Sequence, residues 1–209
     1  MLAFLVGTCL ISFITGLESM EPQAPAAAGK RLAPEDVARL PLPGTTVPTL
    51  VGFSPDGASV SYLLPTKPGD NTRVLWRGPS DGKTPPKVVG RPSGDGENDA
   101  NVSKEEALRR ERQRNRDVGI TSLHRAARAD LTVMPIAGDL FLQAGDGPLA
   151  RLTETPAPEI DPRLSPDGTH VAYVRDNELH VMRLSDRTET RLTKGATEGL
   201  THGLAEFMA

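Results

Sequence analysis

The sequence predicts an all-β fold: a partial β-propeller of two to three blades of antiparallel strands, with one inserted arginine-rich helix and an apolar N-terminal segment. Three observations carry the prediction. A Ser-Pro-Asp-Gly signature occurs twice, 111 residues apart, in Phe53 to Leu63 and again in Leu164 to Val174. Each copy has a large hydrophobe before it and alternating apolar residues after it, the period of a strand with two different faces. Glycine and proline (20 and 19 residues) make up nearly a fifth of the chain and only 4% is aromatic, which favours turns and short strands over long helices.

Taken in order, Met1 to Leu17 is apolar and uncharged, and residues 1–19 read as a secretory signal or, in competition, a short N-terminal anchor. Either reading puts the rest of the chain outside the cytoplasm: periplasmic, secreted, or membrane-anchored through residues 1–17. Residues 20–31 are rich in proline and alanine and read as a flexible linker. Residues 32–209 read as one incomplete propeller domain. Pro34 to Leu40 suits a short helical turn, with proline and acids at its N-terminal end and Pro41 and Pro43 to stop it.

From Val47 the pattern alternates, and Pro55-Asp56-Gly57 joins two short strands, proline presetting φ and glycine supplying the left-handed turn. Arg77 to Asp99 reads as a loop or edge region. Leu131 to Leu142 and Leu149 to Leu152 supply a further blade whose opening turn is worn, with Ala126-Ala127-Arg128-Ala129 where Ser-Pro-Asp-Gly is expected. After the second signature the meander runs through His170–Val174, a turn at Asp176-Asn177, Glu178–Leu184, a turn at Ser185-Asp186, and Glu189–Leu192.

Val102 to Gly119 reads as a helix. Ser103 and Glu106 form a capping box, Glu105 with Arg109 and Glu106 with Arg110 are spaced i,i+4, and Gly119 ends it. Two readings of its arginines stand side by side. One is a solvated helix laced with ion pairs; the other is a perch from which a guanidinium fork holds a substrate carbonyl or carboxylate.

A formal charge of -3 with pI near 5.8 offers no basic field for nucleic acid. Cys9 is the single cysteine, so neither an internal disulfide nor a cysteine-based metal site is expected, and the four histidines lack zinc spacing. His170 and His180 fall in predicted strands and read as surface histidines. No cofactor, metal or catalytic residue is assigned.

The arginine helix, Gly119-Ile120-Thr121-Ser122, Gly138-Asp139-Leu140-Phe141-Leu142, Asp161 to Gly168, Arg191-Leu192-Thr193 and Gly203-Leu204-Ala205-Glu206-Phe207 together resemble the dipeptidyl-peptidase IV branch of the prolyl oligopeptidase family, from about Leu32 onward. The resemblance implies a serine exopeptidase that releases N-terminal X-Pro or X-Ala dipeptides, with an eight-bladed propeller limiting access. It also implies a C-terminal α/β-hydrolase domain carrying the triad, a homodimeric parent, and a peptide N-terminus as substrate. In that scheme an arginine of the helix, here Arg110, Arg112 or Arg114, binds the substrate carbonyl. The glutamate pair that holds the amine would follow just after Ala209, so Glu206 is not half of it. No Gly-x-Ser-x-Gly elbow occurs, so this chain is expected to be an N-terminal propeller portion, inactive alone. The alternative is a periplasmic propeller-type binding module similar to the TolB family, with no catalytic role.

Overall fold

A computed structural model describes residues 33–35, 46–92, 104–112, 114, 116–197 and 199–203. The segments read as signal or anchor and as linker, the capping serine Ser103, and Leu204 to Phe207 lie outside the described residues.

Strands dominate, in three sheets. Sheet I holds β1 (Thr49–Phe53), β2 (Ser59–Pro65), β3 (Thr72–Pro79) and β4 (Lys87–Gly90) in sequence order, with the two-residue β5 (Val118–Gly119) parallel to β3. Helix α1 (Lys104–Arg112) lies in the chain between β4 and β5. Sheet II is β6 (His124–Arg125), β7 (Leu131–Ile136), β8 (Asp139–Ala144) and β9 (Ala150–Arg151); sheet III is β10 (Ile160–Leu164), β11 (His170–Arg175), β12 (Glu178–Arg183) and β13 (Glu189–Arg191). Apart from β5, each is an antiparallel meander, so the fold is all-β and partly propeller-like, as expected.

The two Ser-Pro-Asp-Gly turns are built alike because the same side chains fill the same bonds. Ser54 N donates to Ser59 O at 2.9 Å and Gly57 N to Ser54 O at 2.9 Å; Ser165 N to His170 O and Gly168 N to Ser165 O repeat both at 2.9 Å. The aspartates accept the serine hydroxyls and the amides two residues on, which holds Asp56 below its usual range and Asp167 down at about 2. The worn turn occupies the same place in sheet II, with Ala126 N donating to Leu131 O at 3.0 Å. Lacking its own aspartate, it leans on its neighbour: Arg128 N donates to Pro166 O at 2.8 Å.

Strict alternation fails in β1 because a bulge shifts the register between Thr49 and Gly52, leaving Leu50 at a positive φ of 50° and both Leu50 and Val51 exposed. The same bulge recurs in β10, where Asp161 has a φ of 49°. Arg77 to Asp99 is not simply loop: its start completes β3, and Lys87–Gly90 forms the outer strand β4. The helix is shorter than expected, and Gly119 does not end it. With φ +81° and a would-be Cβ only 2.6 Å from Arg73 O, Gly119 lets β5 lie against β3.

The sheets stack face to face, with one apolar layer in each gap. Leu63 and Leu75 of sheet I share a buried cluster with Ile120 and with Met134 and Ile136 of sheet II. Ala126, Val133, Leu140 and Leu152 of sheet II share another with Leu164, Val171, Tyr173 and Met182 of sheet III. Polar ties cross the same gaps. Arg125 Nη2 donates to Leu50 O at 2.7 Å and its Nε to Ser61 Oγ at 3.1 Å, while Arg77 grips Asp130 with both Nη atoms at 2.9 and 2.6 Å. His124 Nδ1 accepts from Leu164 N at 3.0 Å, joining sheets II and III.

A second repeated device closes sheets II and III. An acid opens the third strand (Asp139, Glu178), and an Arg-Leu-Thr triplet stands at the end of the fourth (151–153, 191–193). In each sheet the arginine bonds the acid, the leucine N–H donates at 2.8 Å to the residue after the acid, and that residue's own N–H donates to the threonine hydroxyl at 2.8 or 2.9 Å. Glu178 is fully buried. Burial alone would raise its pKa, but bonds from Thr193, the Ala196 amide and Arg191 outweigh it and hold the group at about 2.

Candidate functional site

The candidate site is the arginine helix and the segment that returns from it to sheet I. That segment is fastened by a buried arginine, Arg73 of β3. Its Nε bonds Asp117, while its Nη1 donates to Val47 O at 3.0 Å and to Leu63 O at 3.3 Å. A guanidinium removed from water needs such partners on every side, and here they tie β1, β2 and β3 to Asp117. Val118 N donating to Asn71 O and Ile120 N to Arg73 O, both at 3.0 Å, complete the seat.

Onto this seat the helix is pinned by Arg110, whose Nη2 donates to Thr121 Oγ1 at 2.8 Å. Arg110 is half-buried, whereas Arg112 and Arg114 are exposed. Arg112 Nε reaches back to Leu108 O at 3.3 Å, and Arg114 follows the last helical turn with a positive φ of 52°. The three predicted arginines are thus gathered at one end of the helix in two environments. Their chemistry is that of fixed N–H forks, suited to a carbonyl or carboxylate oxygen. Residues 104–106 lie in the first turn of α1, but the side chains of the capping-box and i,i+4 acids lie outside what is described.

Sequence reasoning missed Arg73, Asp117 and Thr121. An isolated arginine in a strand carries no periodic signal, and its partner Asp117 is 44 residues away.

A second polar cluster lies between sheets II and III. Buried Glu159 accepts from Thr153 and Thr155 hydroxyls, both at 2.6 Å, and from Arg175 Nη1 at 3.3 Å. Arg175 also bonds Glu189, which accepts from Tyr173 OH and pairs with His180 Nδ1 at 3.0 Å. His180 is therefore not a surface histidine: it is buried, with its ring stacked on Tyr173 at 5.7 Å between centroids and 8° between planes. Its strand places it on the inward face, opposite Tyr173 in register, which alternation of charge and polarity could not reveal. Burial, then the bond to the Glu189 carboxylate, pushes the Tyr173 hydroxyl well above its usual range. Burial would raise Glu189, but Arg175 and Tyr173 hold it below the ordinary carboxylate value. With its partners supplied from within the chain, this cluster fastens two sheets.

Among the described residues no serine hydroxyl bonds a histidine ring nitrogen, and no cluster of histidine, cysteine or acids could hold a metal ion. No helix of the described residues is long and apolar enough to cross a membrane. A comparison with protein families places these observations. Residues 127–209 match the family described as "Dipeptidyl peptidase IV (DPP IV) N-terminal region". From the worn turn of sheet II onward, through the Arg-Leu-Thr devices and the second Ser-Pro-Asp-Gly turn, the chain is similar to that N-terminal region.

Proposed function

We propose that the chain is the N-terminal propeller portion of a dipeptidyl-peptidase IV-like serine exopeptidase. In this reading the parent releases X-Pro or X-Ala dipeptides, and residues 32–209 help to gate the substrate and supply an arginine for its carbonyl. The family match over residues 127–209 carries the reading, and the exposed guanidinium groups at the end of α1 agree with it. Arg110 acts as the strut, through Thr121, while Arg112 or Arg114 meets the peptide. A bond from a charged donor contributes about 1.5–3 kcal/mol, roughly ten- to a hundredfold in binding. The apolar start, residues 1–17, directs the protein out of the cytoplasm to the periplasm or beyond.

The deciding experiment is to sequence the encoding DNA past codon 209. The proposal expects an open frame running into two adjacent glutamates and, later, Gly-x-Ser-x-Gly; a frame that continues without either refutes it. In parallel, the pure 209-residue chain is expected to release no chromophore from a Gly-Pro substrate, because it holds no nucleophile elbow.

A further inference from the structure

Four of the chain's five Asp-Gly pairs lie among the described residues: Asp56-Gly57, Asp81-Gly82, Asp146-Gly147 and Asp167-Gly168. In each, the glycine has no side chain to shield its amide nitrogen from the preceding carboxyl. The pairs differ in how firmly those two groups are held apart. Gly57 N donates to Ser54 O and Gly168 N to Ser165 O at 2.9 Å, and Gly147 N to Ala144 O at 2.8 Å, whereas Gly82 N reaches Pro79 O only at 3.2 Å. The carboxylates follow the same order. Asp56 accepts from Ser54 Oγ at 2.5 Å and from Ala58 N at 3.0 Å, and Asp167 accepts from Ser165 Oγ at 2.6 Å, Thr169 Oγ1 at 2.9 Å and Thr169 N at 3.1 Å. Those bonds favour the ionised form and hold both groups below the usual carboxylate range. Asp146 is clamped through one oxygen by Arg77 Nε at 3.3 Å and through the other by Lys87 Nζ at 2.8 Å. Asp81 has only its own turn: Lys83 N at 3.1 Å and Lys83 Nζ at 3.4 Å, on a side chain that is 84% exposed.

We infer that Asp81-Gly82, in the turn between β3 and β4, is a site of spontaneous covalent modification, where the peptide link passes from the α-carboxyl to the β-carboxyl of Asp81 and leaves isoaspartate. The step needs only water. Gly82 N gives up its proton and bonds the side-chain carboxyl carbon of a protonated Asp81, whose hydroxyl departs with that proton as water. A second water then opens the five-membered imide at the main-chain carbonyl, breaking the original peptide C–N bond. One water leaves and one returns, and nothing is oxidised or reduced. Ring closure also needs room. A Cβ built on Gly82 meets nothing within 4 Å, and residues 80–87 are all exposed. The equivalent Cβ at Gly147 would lie 2.9 Å from Ala144 O, and at Gly168 2.7 Å from Leu131 Cδ1. Gly57 is as open as Gly82, so at that turn the bonds on Asp56 are the protection. The product lengthens the turn by one main-chain methylene. Pairing of β3 with β4 starts beyond it, at Arg77 and Lys87, so the sheet is kept. The inference is independent of the peptidase reading.

Peptide mapping of the full chain tests it. The folded protein is kept in mildly acidic buffer at physiological temperature, sampled over weeks and digested with Asp-N, which does not cut at isoaspartate, and the peptides are identified by mass spectrometry. Isoaspartate at position 81 is expected to accumulate at least about tenfold faster than at 56, 146 or 167, the factor that one hydrogen bond to a charged group supplies. In urea, where the turns are lost, the four rates are expected to converge. Ser54→Ala removes the hydroxyl donor of Asp56 and is expected to bring its rate toward that of Asp81, with folding checked by circular dichroism. A folded chain in which Asp56, Asp146 or Asp167 isomerises as fast as Asp81 overturns the inference. So does a lead of Asp81 that persists undiminished in urea, or a folded Ser54→Ala variant in which Asp56 is as slow as before.

Discussion

Truncating Leu140 to alanine tests whether the sheets are held by their shared layers rather than each by its own ladder. Leu140 is fully buried, and it shares its cluster with four residues of sheet III and three of sheet II. Leucine-to-alanine changes in such sites cost about 2–5 kcal/mol, and the upper half applies where the walls cannot collapse. Here the walls are two hydrogen-bonded sheets, also tied by His124 to Leu164 and by Arg128 to Pro166, so about 3.5–5 kcal/mol is expected. Against a total of about 5–15 kcal/mol this is a large fraction. Urea unfolding followed both by far-ultraviolet circular dichroism and by fluorescence of the single tryptophan, Trp76 in sheet I, is the assay. If the layers couple the stack, both signals move together to lower urea, although Trp76 sits in the sheet farthest from the substitution's main contacts. A fluorescence midpoint that stays put while the dichroism midpoint falls would refute the reasoning, because sheet I would then unfold independently. Leu192→Ala, the equivalent leucine with an open face, is expected to cost far less, about 0.5 kcal/mol or under.

Other consequences are as specific. Gly168→Ala puts a Cβ 2.7 Å from Leu131 Cδ1 at a φ of +74°, whereas Gly57→Ala, at φ +70°, meets nothing within 4 Å; the first should cost at least about 1 kcal/mol more in the same urea assay. Glu178 and Asp167 are held at about 2, below their ordinary values, so they contribute stability that is fully present above the usual carboxylate range and is lost as pH falls from about 4.5 toward 2. Glu178→Gln should flatten that part of the stability–pH curve, and an unchanged acid limb would count against the assignment. Arg125→Ala leaves Ser61 and the Leu50 carbonyl without their donor and should speed amide exchange in β1 more than in β11. Within a continuous peptidase, Arg112→Ala or Arg114→Ala should raise KM for a Gly-Pro substrate about ten- to a hundredfold, whereas Arg110→Lys should chiefly lower stability. Equal effects on KM from all three would contradict the division between strut and contact.

The sequence by itself determined what depends on neighbours in the chain. Pro55-Asp56-Gly57 and Pro166-Asp167-Gly168 dictate their turns because every bond in them closes within five residues, and the apolar alternation behind each one sets a strand. The worn turn at Ala126 was legible from its distance to the next strand, and the arginine helix from its composition. Only the tertiary structure decided which face of each strand is inward, and so that His180 is buried on Tyr173 while Phe53 is exposed. Alternation names two faces without saying what covers either. Strand β3 escaped notice because its neighbours are reached through a loop and a bulge rather than a turn motif, and β5 because two residues carry no period. The fastening of the candidate site was hidden for the same reason. Arg73 finds Asp117, and Arg125 finds Ser61, across 44 and 64 residues, and such pairs are selected by the geometry of stacked sheets, where an unpartnered buried cation would be too costly to keep.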